Sequence, residues 1–368
     1  MEWKINRRIA EHVTEVYISE DGLQRDAFDI DCGEGVNVWQ LPGEKIEDIR
    51  HIDPDMIRDY PHTPGLKTAI ARFWGAYTNL PKEAVFISEG SMGGIRLACM
   101  AILEQGDKVL GNIPSFNAAA SEISLWGTEY DGLLLPEEDG FKFNADKMIG
   151  KISDTYKMIY IDNPNNPTGQ IIPIEEIRRI VEKAAEFGIG VVVDEAYGDY
   201  MENENSAVTL ADSYDNVIVL RTFSKGMAMG GLRVGYMIAG SGFIGALSQV
   251  CDAYSVSSIS RIMAEKEIED GEFIRSVRQF TIRIKQQFTR REWKNLSFAE
   301  TADVVPIMMV SHKNRNIDLA KVFAEYRIKV ISGASFRGID ANAVRFRIPR
   351  EQELERVLAA FNEIDKLK

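Results

Sequence analysis

Cysteine and histidine are both scarce in this 368-residue chain. The three cysteines, Cys32, Cys99 and Cys251, lie far apart and form no C-x-x-C pair. An odd, scattered set excludes a disulfide framework and a thiolate zinc site. It fits reduced thiols in a cytoplasmic protein. The four histidines (His12, His51, His62, His312) form no H-x-x-x-H pair, so a histidine-based metal site is not expected. Long apolar runs are missing too, and a bilayer span needs about 20 such residues. The opening residues, MEWKINRRIAEHVTEVY, are charged and lack the apolar stretch of a secretory signal. Basic residues are in the minority, 43 against 56 acidic, for a net charge of −13. Such a chain repels polyanions, which argues against nucleic acid and anionic membranes as partners.

An ordinary globular balance remains, with 45% hydrophobic and 27% charged residues. The length suits a large α/β domain with a smaller companion. Residues 1–20 read as an amphipathic helix, followed by a polar turn at Glu20-Asp21-Gly22. Residues 28–43 read as a short strand and a Gly/Pro loop, and 65–79 as a helix spaced by Leu66, Ile70, Phe73 and Tyr77. From there strands and helices alternate: VFIS (85–88), KVLGN (108–112), MIYID (158–162), GVVVDEAY (190–197), VIVLRTFSK (217–225) and VGYMIAG (234–240) read as strands. The helix 174–187 ends at Gly188, a capping residue by type. Apolar strands between amphipathic helices imply a largely parallel sheet covered on both faces. A long connecting helix is expected through 260–288. Beyond it the strands VVPIMMVS, IKVISG and NAVRFRIP, with helices at 317–326 and 351–366, read as an α+β unit. The expected division is an N-terminal arm at 1–40, a large domain at 41–255 and a small domain at 256–368.

Ligands of open α/β sheets bind at the carboxyl ends of the strands, and four segments there are informative. SEGSMGG (88–94) would offer the backbone N–H groups of Gly90, Ser91 and Met92 at a helix N-terminus, a geometry that suits a phosphate. An ordinary strand–helix turn would look the same. DNPNNPTG (162–169) is a stiff loop able to aim an asparagine, and its Asn166–Pro167 bond is a candidate cis peptide. In VVVDEAY, Asp194 ends a buried strand and needs a partner to stay ionised. In RTFSKGMAMGGLRVGY (221–236), Lys225 follows a strand amid glycines that permit close backbone approach, and Arg233 suits a bidentate phosphate contact.

NNPTG, DEAY and TFSKG…GLRVGY, in that order, resemble the class I/II aminotransferases of pyridoxal-5′-phosphate (PLP) fold type I. The likeness is nearer to the histidinol-phosphate aminotransferase-like branch and runs over roughly 28–360. The resemblance implies an α/β fold with a mostly parallel central sheet plus a smaller α+β domain. It implies PLP as cofactor and a homodimer with the active site at the interface. It makes Lys225 the Schiff-base lysine and proton carrier, Asp194 the acid paired with the pyridine nitrogen, and Tyr197 and Asn166 donors to the phenolic oxygen. Phe116 resembles the aromatic that stacks on the ring, though the family often has tyrosine there. Gly90, Ser91, Met92 (by its backbone), Thr222, Ser224 and Arg233 resemble the phosphate cup, and Tyr60 the tyrosine lent by the other subunit. Met92 replaces a more usual polar residue. Arg345 resembles the arginine that holds the substrate carboxylate, with Arg347 two residues on and sharing its strand face. Asn37 lies in the loop that covers the substrate.

The implied activity moves an amino group between an amino acid, or amino-alcohol phosphate, and a 2-oxo acid. PLP supplies the electron sink, and the protein decides which bond breaks. The same residues also serve a decarboxylase of the phosphothreonine type, or a cyclase or eliminase. A non-catalytic binding protein would not need Lys225. A nicotinamide dehydrogenase would need a G-x-G-x-x-G turn, which is missing. Trp39, Phe116 and Asn117 could line the side-chain pocket. Arg25, Arg315 and Arg337 could meet a substrate anion, although a surface charge is the more ordinary role for each.

Overall fold

The computed structural model describes residues 6–12, 27–43, 46–47, 52–62, 65–268 and 271–368. The first described strand, β1 (Ile30–Asp31), is followed by β2 (Val85–Ser88), β3 (Lys108–Ile113), β4 (Glu129–Leu134), β5 (Met158–Asp162), β6 (Gly190–Glu195), β7 (Val217–Thr222) and β8 (Gly235–Ala239). Strands β2 to β8 form one seven-stranded sheet in the order β2-β8-β7-β6-β5-β3-β4. Six of them point the same way, and β8 runs antiparallel to its two neighbours, β2 and β7. Every residue of β2, β5, β6 and β7 is buried, as expected of strands covered on both faces. The helix Ile174–Ala185 shows why the cover forms. Ile177, Ile180, Val181 and Ala184 recur on one face and are buried, while glutamates and arginines take the other.

A second sheet orders β12 (Ile331–Ser332), β13 (Ala343–Arg347), β10 (Ile307–His312) and β9 (Leu296–Phe298). The early β1 pairs in parallel with β11 (Ile328–Lys329), nearly 300 residues further along. Two cores meet in the helix Gly271–Thr289: Ile274 and Val277 pack in the first, Phe280, Ile284 and Phe288 in the second. Lys285 of that helix is fully buried. Its Nζ donates to Thr301 Oγ1 at 2.6 Å and to the carbonyls of Ala302, Val305 and Ile307 at 2.7 to 2.8 Å. It thereby fixes the loop leading into β10. Ala302 N–H bonds in turn to the Gly169 carbonyl of the NNPTG turn.

Some expectations need correction. Of residues 1–20 only 6–12 are described; they hold a helix at Arg7–Glu11 that gives way to extended backbone at His12, and the turn at 20–22 lies outside the described residues. The connecting helix is described over Ser258–Ile268 and Gly271–Thr289, with 269–270 outside the described residues. The cis peptides are Ile113–Pro114 and Asn163–Pro164, not Asn166–Pro167. Pro167 sits inside a turn closed by Gly169 N–H on the Asn165 carbonyl, and the Asn165 side chain accepts from Thr168 N–H, which ordinary trans geometry satisfies. Strand β4 and the helix Asn117–Leu125 have no counterpart in the sequence reading.

Candidate active site

The carboxyl ends of β5, β6 and β7 converge on one cavity. It is lined by Ser91, Met92, Phe116, Asp162, Asn166, Asp194, Tyr197, Thr222, Ser224, Lys225 and Arg233. The structure therefore brings together nearly all residues singled out in the sequence. Gly90 opens the helix Gly90–Ile102 at φ +73, and a side chain there would crowd Arg233 Nη2 at 3.0 Å. Glycine keeps this helix start open to Arg233 and the hydroxyls. Arg233 Nη1 bonds to the Gly230 carbonyl at 2.9 Å, and Thr222 Oγ1 to Ser224 Oγ at 2.9 Å. A helix N-terminus, two hydroxyls and a guanidinium make an anion cradle.

Asp194 is buried, its Oδ1 accepting from Ala196 N–H at 3.0 Å and its Oδ2 from the Tyr160 hydroxyl at 2.9 Å. Lys225 Nζ lies 5.4 Å from the centre of the Tyr197 ring. Above them runs the segment 31–37. Tyr197 Oη donates to the Gly35 carbonyl at 3.4 Å, and any side chain at Gly35 would strike that oxygen at 2.1 Å. Asn37 Nδ2 donates to the Gly226 carbonyl at 2.8 Å, and its Oδ1 accepts from Trp39 N–H at 2.9 Å. The Asn37 side chain thus ties the covering segment to the lysine loop.

The two arginines of β13 are told apart by their contacts. Arg347 Nε bonds to the Glu34 carbonyl at 2.7 Å, Nη1 to the Ile348 carbonyl at 2.8 Å, and Nη2 to the Asp31 carbonyl. All its nitrogens are engaged with backbone. Arg345 reaches the Gly33 carbonyl and Asn166 Oδ1, the latter at 3.0 Å, at the cavity's edge. Tyr60 is 71% exposed, stacked with His62 and Tyr254, and does not line its own chain's cavity. Trp39 packs edge-on against Phe280 rather than at the cavity. Asn117 is buried and bonds to the Ser335 carbonyl. Arg315 pairs with Glu137 and Asp340; Arg25 lies outside the described residues.

Two participants escape a sequence reading. Asp162, opposite Asp194 in the β5–β6 register, accepts from Asn166 N–H at 2.9 Å, Phe116 N–H at 3.2 Å and Asn165 Nδ2 at 3.0 Å. Tyr160 bonds Asp194 itself. Their only signal is the period-2 alternation that puts 160 and 162 on one face. Burial pushes the Asp162 carboxyl up to about 7, and the Asp194 charge adds to this. Burial likewise raises Asp194 to about 6, opposed by Tyr160 and Ala196. Both folded-state values lie above the ordinary 3.8, so the folded cofactor-free chain binds these protons more tightly than the unfolded chain. Their stabilising contribution is therefore full below about pH 4 and lost as the pH rises through 6 to 7. In denaturant unfolding of the cofactor-free protein, wild type should lose stability relative to Asp162→Asn between pH 4 and 7.5. The expected loss is on the order of 2–4 kcal/mol. A difference that is flat with pH would refute it.

Residues 46–361 match the family of class I and II aminotransferases. The chain belongs to that family. It is a PLP-dependent aminotransferase with the fold of the type I enzymes. Its relatives include a histidinol-phosphate aminotransferase of Methanococcus maripaludis, 27% identical over 91% of this chain and 90% of that one. Another, from Methanocaldococcus jannaschii, is 28% identical over 91% and 89%. The histidinol-phosphate aminotransferase of Sinorhizobium meliloti, solved in complex with PLP, superimposes with a TM-score of 0.82 at 19% identity, covering 100% of this chain and 98% of that one. Aspartate aminotransferase of Thermus thermophilus with maleate gives 0.81 at 18% identity, over 99% and 100%. The aminotransferase's cavity fits the cofactor on its own terms. It offers an anion cradle at one end, a buried carboxylate and a ring face in the middle, and a primary amine beside them. Among its described residues no helix is long and apolar enough to cross a membrane, and no cluster of metal-binding side chains occurs.

Proposed function

We propose that Lys225 anchors PLP as a Schiff base and carries protons in the transfer of an amino group from an amino acid, or an amino-alcohol phosphate, to a 2-oxo acid. The observation that carries this reading is the single cavity where Lys225, Asp194, Tyr197, Asn166 and the Arg233 cradle meet. The bound cofactor supplies an electron sink for charge leaving the substrate carbon. Arg233, Ser91, Thr222, Ser224 and the N–H groups from Gly90 to Met92 would hold its phosphate. Phe116 would cover its ring. Asp194 would meet the pyridine nitrogen with its charge, and Tyr197 and Asn166 would donate to the phenolic oxygen. Lys225 would serve as general base and acid at the substrate carbon.

Arg345 is the arginine proposed to hold the substrate carboxylate. Its guanidinium sits beside Asn166, whereas Arg347 is spent on the backbone of residues 31–34 and 348. Asn37 acts through Gly226, keeping the covering segment on the lysine loop. A homodimer is proposed as well. Met56, Ile57, Tyr60 and Tyr254 are apolar or aromatic and exposed in one chain, the signature of an unpaired face. There Tyr60 would reach the partner's phosphate cradle. Sedimentation of the holoenzyme at twice the chain mass is the expected result; a monomer with full cofactor occupancy would contradict it.

The names of the relatives make histidinol phosphate the first donor to try, alongside aromatic and acidic amino acids. The purified holoenzyme should absorb in the visible. The band should bleach with a productive donor and return when a 2-oxo acid is added. Release of carbon dioxide without bleaching would favour the decarboxylase reading instead.

A further inference from the structure

The Tyr160 hydroxyl points along the sheet face at the carboxylate of Asp194. Tyr160 is completely buried and belongs to the apolar core cluster that includes Val192, Leu220 and Met237. Its Oη donates to Asp194 Oδ2 at 2.9 Å, while Ala196 N–H holds Oδ1 at 3.0 Å. Two donors, one on each oxygen, fix both the plane and the reach of the carboxylate. The bond also bears on its charge. Asp194 lies in the protein interior opposite Asp162 in the strand register, and burial and the charge of the adjacent Glu195 disfavour its ionisation. A hydroxyl given to a carboxylate favours the ionised form. Burial and the Asp194 charge hold the phenol's own proton far above the range in which it could leave, so Tyr160 remains a donor throughout.

We infer that Tyr160 is a positioning residue of the cofactor site: through its hydroxyl it orients Asp194 and keeps it ionised opposite the pyridine nitrogen. This rests on the reading of Asp194 given above. Asp162 does different work. Its oxygens are taken by Asn166, Phe116 and Asn165, so it fixes the two loops that flank the ring and leaves Asp194 to Tyr160.

The test compares native PLP with an analogue carrying carbon in place of the ring nitrogen, bound to wild type, Tyr160→Phe and Asp194→Ala. Dissociation constants are measured by equilibrium dialysis. Tyr160→Phe should weaken native PLP by about tenfold and the analogue by no more than about twofold, because only the native ring has a nitrogen for Asp194 to meet. In the holoenzyme, kcat should fall while KM for the amino donor stays. A general packing defect would weaken both cofactors equally, and that result overturns the inference, as does no loss with either. If Asp194→Ala discriminates between the cofactors and Tyr160→Phe does not, only Tyr160's role fails. If Asp194→Ala fails to discriminate, the reading of Asp194 fails with it. Should Tyr160→Phe not fold, 3-fluorotyrosine at position 160 decides. It keeps the ring and strengthens the donor, so native PLP should bind at least as tightly as to wild type; weaker binding overturns the inference.

Discussion

Replacing Lys225 with alanine should leave a folded protein that has lost its covalent hold on the cofactor and nearly all its activity. The expected fall in kcat is at least about 10²- to 10⁴-fold, the range for removing a positioned acid–base group. Lys225 is only half-buried and lines a cavity, so its loss leaves no void in a packed core. The loop around it is held independently: Asn37 binds the Gly226 carbonyl, and Met229 N–H binds the Phe223 carbonyl. Borohydride reduction of the wild-type holoenzyme should fix the cofactor to the peptide containing Lys225, and the variant should carry no label. Small amines added to the variant should restore part of the rate, because they replace the missing base without its tether. Fixation at another lysine in the wild type would sink the assignment.

The second large effect concerns stability. Arg221 of β7 is 3% exposed and bridges two buried carboxylates, Glu195 at 3.0 Å and Asp199 at 2.9 Å. Glu195 also accepts from the Ser206 hydroxyl and Ala207 N–H, both at 2.6 Å. The guanidinium stacks 5.3 Å from the Trp74 ring centre. Arg221→Leu removes the cation and leaves two carboxylates in an apolar setting. Breaking a buried pair in this way costs about 3–5 kcal/mol. Denaturant unfolding of the cofactor-free variant should show a loss of that size, and a loss below about 1 kcal/mol would show that the triad is not a stabilising unit. Adding Glu195→Gln and Asp199→Asn should recover part of it, since the stranded charges go too.

The site was legible in the sequence wherever its residues stand at strand ends. Lys225, Asp194 and Asn166 each follow an apolar run that could only be a buried strand. Tyr160 and Asp162 were not legible for the opposite reason. A tyrosine inside such a run reads as packing, and Asp162 serves a backbone N–H of Phe116, 46 residues away. Strand periodicity alone does not separate Arg345 from Arg347, since both share one strand face; only the resemblance favours Arg345. What separates them is which carbonyls of residues 31–34 each meets, more than 300 residues distant. Strand β4 was missed because its residues, at the sheet edge, are only half-buried or exposed and carry Glu129 and Asp131. The parallel layering was readable; the antiparallel insertion of β8 depends on pairing, which hydrophobic pattern does not specify.

The segment 30–37 pairs with β11 and is held by Arg345 and Arg347, residues made some 300 positions after it. On a ribosome it emerges some 300 residues before the arginines that hold it. The phosphate cradle and Asp194 are complete once β8 has been made, but the roof over them is not. Synthesis therefore passes through a stage in which the residues of the floor are made but the arginines that hold the cover are not. Contacts of such long sequence separation form slowly. A chain stalled before residue 345 lacks both arginines that hold this cover.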